Sequence, residues 1–245
     1  MDGDAMSTRG ETIDPFTVGV YHVWSRCVRR AWLCGGVDPE TGKNYDHRRK
    51  WFEERLALQA TLFGIEVCFL AGMVNHGHHV SRTRPDVVAT WSDEEVVYRN
   101  LLINRLPRCF DGNLRVPSAA EVKIEMALAT KEKMVQYRTR LHSISWFMKQ
   151  LNEYMARRAN HEDNVTGRFW EGPFKCRRLE DQPAFVSCGI YLDVNQTRAG
   201  EAKTPEESEH TSAYLRIQGA KYLADLKYNL NLEIPFNIDK LDEMA

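Results

Sequence analysis

Residues 65–83, IEVCFLAGMVNHGHHVSRT, contain an apolar run followed by a short polar turn and a cluster of histidines. Positions 65–74 predict a buried strand, and the residues from the histidines onward predict another strand after a tight connection. Successive side chains of a strand point to opposite faces, so His76 and His78 share one face and His79 faces the other way. The first two can ligate one ion, although histidines also end strands as ordinary polar groups.

The sequence around this hairpin predicts a mixture of strands and helices. FTVGVYHVWSR (16–26) is typical of a strand, and the helix over 46–64 can be capped by Asp46. Further helices are predicted from Ser92, with Glu95 completing a capping box, from Ser118, and over 142–160. An extended segment or strand is predicted over 167–179. It is followed by a helix over 182–195, capped by Asp181 and stopped by Gly200, and by a last helix from Thr211. This order predicts an α+β fold, with a ferredoxin-like antiparallel sheet, helices packed on it, and extra helices.

Composition limits the organisation and class of the chain. With 245 residues, we expect a flexible polar leader over 1–15, one domain over 16–200 with a helical insertion at about 92–160, and a polar linker with a helical tail over 201–245. No apolar run is long enough to cross a membrane, and the leader lacks the apolar stretch of a secretory signal. Six scattered cysteines without a CxxC pair favour a reduced, cytoplasmic protein.

Basic residues are clustered although the formal net charge is only −1. Clusters at 26–30 and 175–178 supply side chains that can hold phosphates, or that form ordinary solvated faces. The candidates for contact with nucleic acid are Arg26, Arg29, Arg30, Lys175, Arg177 and Arg178. Trp170, with Phe169 and Phe174, can stack on unpaired bases or belong to the core.

A second stretch, IYLDVNQTRAG (190–200), places a tyrosine and an amide four residues apart. On a helix, Tyr191 and Asn195 would lie on one face, so that the phenol and the amide converge. Tyr154 also lies in a predicted helix, but position 158 is an arginine rather than an amide.

Four stretches together carry a resemblance to a known family: HVWSRCVRR, NHGHHV, NVTGRFWEGPFK and YLDVNQTRAG, in this order over about residues 16–200. They resemble the REP-associated tyrosine transposases, which belong to the single-tyrosine HUH nucleases and transposases. The resemblance implies a divalent metal, Mg²⁺ or Mn²⁺, held by His76, His78 and Asn195, with Tyr191 as the nucleophile.

The resemblance also implies an activity and partners. Such an enzyme nicks single-stranded DNA, usually a hairpin from a repeated extragenic element, forms a 5′-phosphotyrosine bond and transfers the strand. It would act in the bacterial cytosol without a membrane partner. A homodimer is left open, because the tyrosine helix can serve its own site or that of a second copy.

The sequence departs from the family pattern at several positions. Gly77 replaces a bulky residue between the histidines, and we expect this to loosen the strand, so that Gly77→Val would improve packing and metal binding. Pro173 replaces an arginine, and Gln196 replaces a proline. Two alternatives therefore remain: a non-catalytic relative that binds DNA hairpins, and an unrelated helical scaffold with structural histidines.

Overall fold

The computed structural model describes residues 13–108 and 115–230. Its strands, in chain order, are β1 (Val20–Arg26), β2 (Ile65–Gly72), β3 (His76–Thr83) and β4 (Lys175–Arg178). Its helices are α1 (His47–Leu62), α2 (Pro85–Thr90), α3 (Asp93–Arg105), α4 (Ala119–Leu128), α5 (Lys131–Leu141), α6 (Ile144–Asp163), α7 (Gln182–Asp193), α8 (Asn195–Arg198) and α9 (Ser212–Leu230). Residues 1–12 of the predicted leader and 231–245 of the predicted tail lie outside the described residues.

The sheet has the strand order β2-β3-β1-β4, and each neighbouring pair is antiparallel. With α1 after β1 and α6 before β4, the strands and helices follow the order strand, helix, strand, strand, helix, strand of a ferredoxin-like fold. Helices α2 to α5 are inserted between β3 and α6. The predicted α+β class, with an antiparallel sheet and helices packed on it, is confirmed.

One face of the sheet is covered by α1 and α6 and forms the main core. Tyr21 and Val23 of β1 pack there with Phe52 of α1 and Phe147 of α6, and all four side chains are buried. Burying each such side chain stabilises the fold by roughly 1.5–3 kcal/mol. Gly77 of β3 points to the same face as these residues.

The space at Gly77 is already filled by its neighbour on α1. A Cβ added to Gly77 would lie 2.6 Å from Cε2 and 2.7 Å from Cζ of Phe52, which is too close for any side chain. The expectation that valine at this position adds favourable packing is therefore wrong. The glycine permits close approach of the aromatic ring to the strand.

The opposite face of the sheet is only partly covered. Helix α7 packs on β2 and β3, where Leu192 lies in a buried cluster with Ala71 and Val80. The rings of Phe69 and Phe185 meet edge-on in the same layer, with centroids 5.4 Å apart. The β1 and β4 part of this face keeps more solvent access, as the exposed side chain of Arg177 shows.

Side-chain caps fix several helix starts at the predicted residues. Asp181 accepts a hydrogen bond from the backbone nitrogen of Ala184 at 2.7 Å, as predicted. Ser118 and Glu121 form a complete capping box. Ser92 accepts from the backbone of Glu95, but the Glu95 carboxylate pairs with Arg99, so the capping box predicted there is only half formed.

Some predicted element boundaries were wrong. The first strand begins at Val20 rather than at residue 16, because the Asp14 carboxylate accepts bonds from Phe16 and Thr17 and turns the chain. The segment predicted as extended over 167–179 contains only the four-residue strand β4. Pro173 precedes that strand and has no N–H to donate to a ladder.

The segment after α8 lies against the end of β2. Gly72 donates its backbone N–H to the carbonyl of His210 at 3.0 Å, and Ala71 forms an isolated bridge with Thr211. The buried Gln196 side chain donates to the carbonyls of Gly72 and Glu209. These bonds anchor the segment beside the turn that carries the histidines.

In the described part of the chain, no helix combines the length and apolar character needed to span a membrane.

Candidate active site

The histidines of β3 separate onto the two faces of the sheet. His76 and His78 lie together on the face that α7 partly covers, with ring centroids 4.4 Å apart. His79 points into the main core, where its Nδ1 atom lies 2.7 Å from the Ser81 hydroxyl and its Nε2 atom 3.0 Å from the sulfur of Met148. The alternation of the strand therefore brings the two candidate ligands together and makes His79 a core residue.

A third histidine, from β1, completes an imidazole cluster on this face. The Nε2 atom of His22 lies 2.9 Å from the Nδ1 atom of His78, and the two rings are stacked with centroids 5.1 Å apart. The indole of Trp24 stacks on the ring of His22, with centroids 4.8 Å apart. His22 was not predicted as a site residue.

The predicted nucleophile approaches this cluster from α7. The ring of Tyr191 stands edge-on to His78 and His22, with centroid separations of 6.1 and 6.4 Å. Its side chain remains 37% exposed, so a polymer in solution can reach it. The guanidinium of Arg198 lies 5.7 Å from the centroid of the tyrosine ring.

The rival tyrosine occupies a different environment. Tyr154 of α6 is buried in the main core at 5% exposure. Arg158 donates a hydrogen bond to its hydroxyl, and the Arg55 guanidinium lies 4.2 Å from its ring centroid. A phenol so enclosed has no room beside it for a phosphodiester, which favours Tyr191 as the reactive tyrosine.

Asn195 begins a separate short helix, although it had been predicted to continue the helix of Tyr191. The helix over 182–195 was predicted to be continuous, but α7 ends at Asp193 and the short helix α8 begins at Asn195. Val194 between them has φ −101° and ψ 7°, which interrupts the helix. Asn195 is nevertheless buried and lines one cavity with Tyr191 and His76.

Two of these side chains carry an unpartnered polar atom, as a ligand to a cation would. His78 Nε2 and Asn195 Nδ2 are buried and have no hydrogen-bond partner among the described residues. An amide can be turned to present its oxygen, because the two ends look alike in shape. Within residues 13–108 and 115–230, no group of three or more His, Cys, Asp or Glu side chains is arranged to hold a metal. The donor set that fits is two imidazoles and one amide.

Burial keeps the imidazoles of the site neutral. It lowers the pKa of both His22 and His76 to about 4, with nearby arginines adding to the effect. The pKa of His78 is lowered well below its usual value, first by burial and then by the neighbouring histidines. All three rings are therefore neutral at neutral pH, and neutral imidazole is the form that ligates metals.

The cavity beside Tyr191 has a volume of about 790 Å³ and a lining of both polar and apolar residues. Glu201 projects into it and forms an ion pair of 2.8 Å with Arg49. Burial raises the pKa of the Glu201 carboxyl, while Arg49 acts in the opposite direction. Neither residue was predicted as part of the site, because they come from the first helix and from the segment predicted as a linker.

The predicted basic residues divide between the two faces of the sheet. On β4, Lys175 lies opposite Trp24 and Arg177 lies opposite His22, so both share the face of the site. Arg178 lies opposite the buried Tyr21 on the other face and pairs with Glu180.

The basic cluster after β1 lies at the rim of the site. Arg26 lines the same cavity as Tyr191. Arg29 and Arg30 are exposed and have left-handed backbone φ angles of 56° and 55°. They follow the end of β1, and Asn75 donates to the carbonyl of Arg30 at 3.2 Å. The turn before the histidines thus holds this basic loop in place.

The aromatic residues predicted to stack on bases are mostly structural. Phe169 and Phe174 are 4% and 7% exposed and belong to the core, so the hypothesis that they stack on DNA is wrong. Trp170 is half-buried, its indole donates to the carbonyl of Asn152, and its ring meets Phe169 edge-on.

No protein-family model and no curated protein matches this chain. A solved structure of a REP-associated tyrosine transposase bound to a REP hairpin is similar in fold. The TM-score is 0.48 and the sequence identity 8%, over 86% of this chain and 85% of that chain. The function proposed below therefore rests on the side-chain geometry of this chain.

Proposed function

We propose that this protein is a metal-dependent single-stranded DNA nickase and strand transferase in which Tyr191 is the nucleophile. The observation that carries the proposal is the position of Tyr191, exposed and edge-on to His78, in a cavity shared with His76 and Asn195. Side chains that could hold a metal ion beside a phenol are one way to activate it for phosphoryl transfer.

The proposed ligands of Mg²⁺ or Mn²⁺ are His76, His78 and Asn195. A divalent ion bound there would neutralise charge on the scissile phosphate and orient it. Imidazole donors suit zinc, copper, iron or nickel, whereas oxygen donors suit magnesium and manganese, and the sequence resemblance implies Mg²⁺ or Mn²⁺. The unpartnered Nε2 atom of His78 and the unpartnered amide of Asn195 support this assignment.

In the proposed reaction, the Tyr191 oxygen attacks the phosphorus, and the bond from phosphorus to the 3′ oxygen breaks. The departing oxygen takes up a proton and becomes a free 3′ hydroxyl, while the 5′ phosphate stays on the tyrosine. The phenol gives up its proton to water as its oxygen attacks, since phenols in water ionise only near pH 10. Attack by a 3′ hydroxyl on the phosphotyrosine reverses the step and joins DNA.

The substrate proposed is a DNA hairpin with single-stranded flanks. Lys175 and Arg177 flank the site on its open side, where they can hold phosphates of the backbone. Arg26 extends the same basic surface into the cavity. The half-exposed indole of Trp24 lies between these cations and can stack on an unpaired base.

The test is covalent capture of DNA. The protein would be incubated with Mn²⁺ and a 3′-end-labelled pool of hairpins with randomised flanks, then resolved on a denaturing gel. We expect a labelled adduct with the wild type and with Tyr154→Phe, and none with Tyr191→Phe, which should still bind the hairpins. An adduct that survives in Tyr191→Phe and disappears in Tyr154→Phe would contradict the assignment.

The second candidate function is hairpin binding without cleavage. It is favoured by Pro173, which stands where the family resembled in sequence has an arginine and which removes one cation next to the site. Wild-type protein that binds the pool tightly but forms no adduct with Mn²⁺ or Mg²⁺ would support this candidate and contradict the first.

A further inference from the structure

The two candidate metal ligands of β3 each use their Nδ1 atom in a hydrogen bond. His76 Nδ1 lies 2.6 Å from Oδ1 of Asn75, and His78 Nδ1 lies 2.9 Å from Nε2 of His22. In both cases the Nε2 atom is left for another partner. For His78 that Nε2 atom is buried and has no partner among the described residues.

The bond from His76 has a defined direction. Asn75 donates its Nδ2 atom to the carbonyl of Arg30, which fixes the orientation of the amide. The Oδ1 atom that faces His76 can only accept, so the proton of the neutral His76 ring lies on Nδ1. Its Nε2 atom then carries a lone pair.

The bond between His22 and His78 can run in either direction. If His22 donates, the His78 proton lies on Nε2, and that buried N–H points at the site without an acceptor. If His78 donates, its buried Nε2 atom carries a lone pair and no proton. Only the second arrangement gives His78 the same form as His76, and only the second lets it ligate a cation.

We propose that His22 is a positioning residue that accepts the Nδ1 proton of His78 and so holds His78 in the tautomer that leaves Nε2 free for a metal ion. The inference deepens the proposed function and rests on its metal site. Metal-ligating histidines generally donate their other N–H to a carboxylate, a carbonyl or water. Here a neutral imidazole takes that place, and its ring neighbours those of both Trp24 and His78.

Two substitutions at position 22 separate the hydrogen bond from the packing. His22→Phe keeps an aromatic ring next to Trp24 and His78 but has no acceptor. His22→Gln keeps an acceptor oxygen close to the position of Nε2 and loses the ring. If His22 serves only packing, His22→Phe should reduce Mn²⁺ affinity less than His22→Gln does. If His22 sets the tautomer of His78, His22→Gln should reduce it less.

The experiment combines tautomer detection and metal binding. Long-range ¹H–¹⁵N spectra of the metal-free protein, with His78→Gln used for assignment, report which nitrogen of His78 carries the proton. We expect Nδ1–H in the wild type and in His22→Gln, and Nε2–H in His22→Phe. Calorimetric titration with Mn²⁺ should show about a 10–100-fold loss of affinity in His22→Phe and substantial recovery in His22→Gln.

An Nε2–H form of His78 in the wild type, or unchanged Mn²⁺ affinity in His22→Phe, would overturn the inference. Wild-type protein that shows the Nδ1–H form of His78 but binds no Mn²⁺ would uphold the role of His22 in setting the tautomer. That result would instead overturn the metal site of the proposed function.

Discussion

The ring of Tyr191 stands edge-on to the ring of His78, with their centroids 6.1 Å apart. The two residues come from α7 and β3, which pack against each other on the less covered face of the sheet. Because α1 and α6 cover the other face, Tyr191 meets solvent without any opening of the main core, whereas His78 is buried.

The Asn195 amide is predicted to be a ligand rather than a packing residue. Asn195→Leu should lower Mn²⁺ affinity at least about tenfold, whereas Asn195→Asp, which adds a charged oxygen donor, should retain or increase it. Calorimetric titration of both variants measures this. Equal affinity in Asn195→Leu and the wild type would remove Asn195 from the ligand set.

Gly77 is predicted to be required by packing. Gly77→Ala should lower the free energy of unfolding by about 1–3 kcal/mol, because the added Cβ meets Phe52 at 2.6 Å. Urea unfolding of Gly77→Ala, Phe52→Leu and the double variant would show the coupling. The double variant should be more stable than the sum of the single effects predicts, and strict additivity would contradict the proposed contact.

The two neighbouring arginines of β4 should differ in their effect on DNA. Arg177 shares the face of the site, whereas Arg178 lies on the opposite face and pairs with Glu180. Arg177→Ala should weaken hairpin binding and reduce the magnitude of the salt slope by about 0.7–0.9, one phosphate contact. Arg178→Ala is the matched control and should change the slope little. Fluorescence anisotropy at several salt concentrations tests the pair, and the reverse ranking would contradict this orientation of the strand.

Because of His79, the free energy of unfolding should decrease at acidic pH. Burial lowers the pKa of His79 to about 3, below its unfolded value near 6.5. Between these two pH values the unfolded state therefore binds one more proton than the folded state. The contribution of His79 to the free energy of unfolding is complete above pH 6.5 and is lost as the pH falls toward 3. The slope should be about 1.4 kcal/mol per pH unit.

The control for this prediction is His79→Leu. It should be less stable at neutral pH, since the buried Ser81 hydroxyl loses its partner. Its stability should decline less steeply between pH 6 and pH 4 than that of the wild type. Parallel stability curves for the two proteins would show that His79 does not titrate in this way.

Some of the site could be predicted from the sequence and some could not. The shared face of His76 and His78 follows from the alternation of a strand, which is a local property. The break at Val194 depends on how α8 is anchored, since Gln196 bonds to the end of β2. His22 was missed because its approach to His78 depends on the register between β1 and β3, which pairs His22 with Val80 and Trp24 with His78.

The most direct measurement is to identify the amino acid that carries the DNA. The covalent adduct formed with hairpin DNA and Mn²⁺ would be digested with nuclease and trypsin and analysed by mass spectrometry. Residues 179–198 form a tryptic peptide whose single tyrosine is Tyr191, and residues 150–157 form one whose single tyrosine is Tyr154. We predict a 5′-phosphonucleotide on peptide 179–198. A nucleotide on peptide 150–157, or on any residue other than Tyr191, would contradict the account.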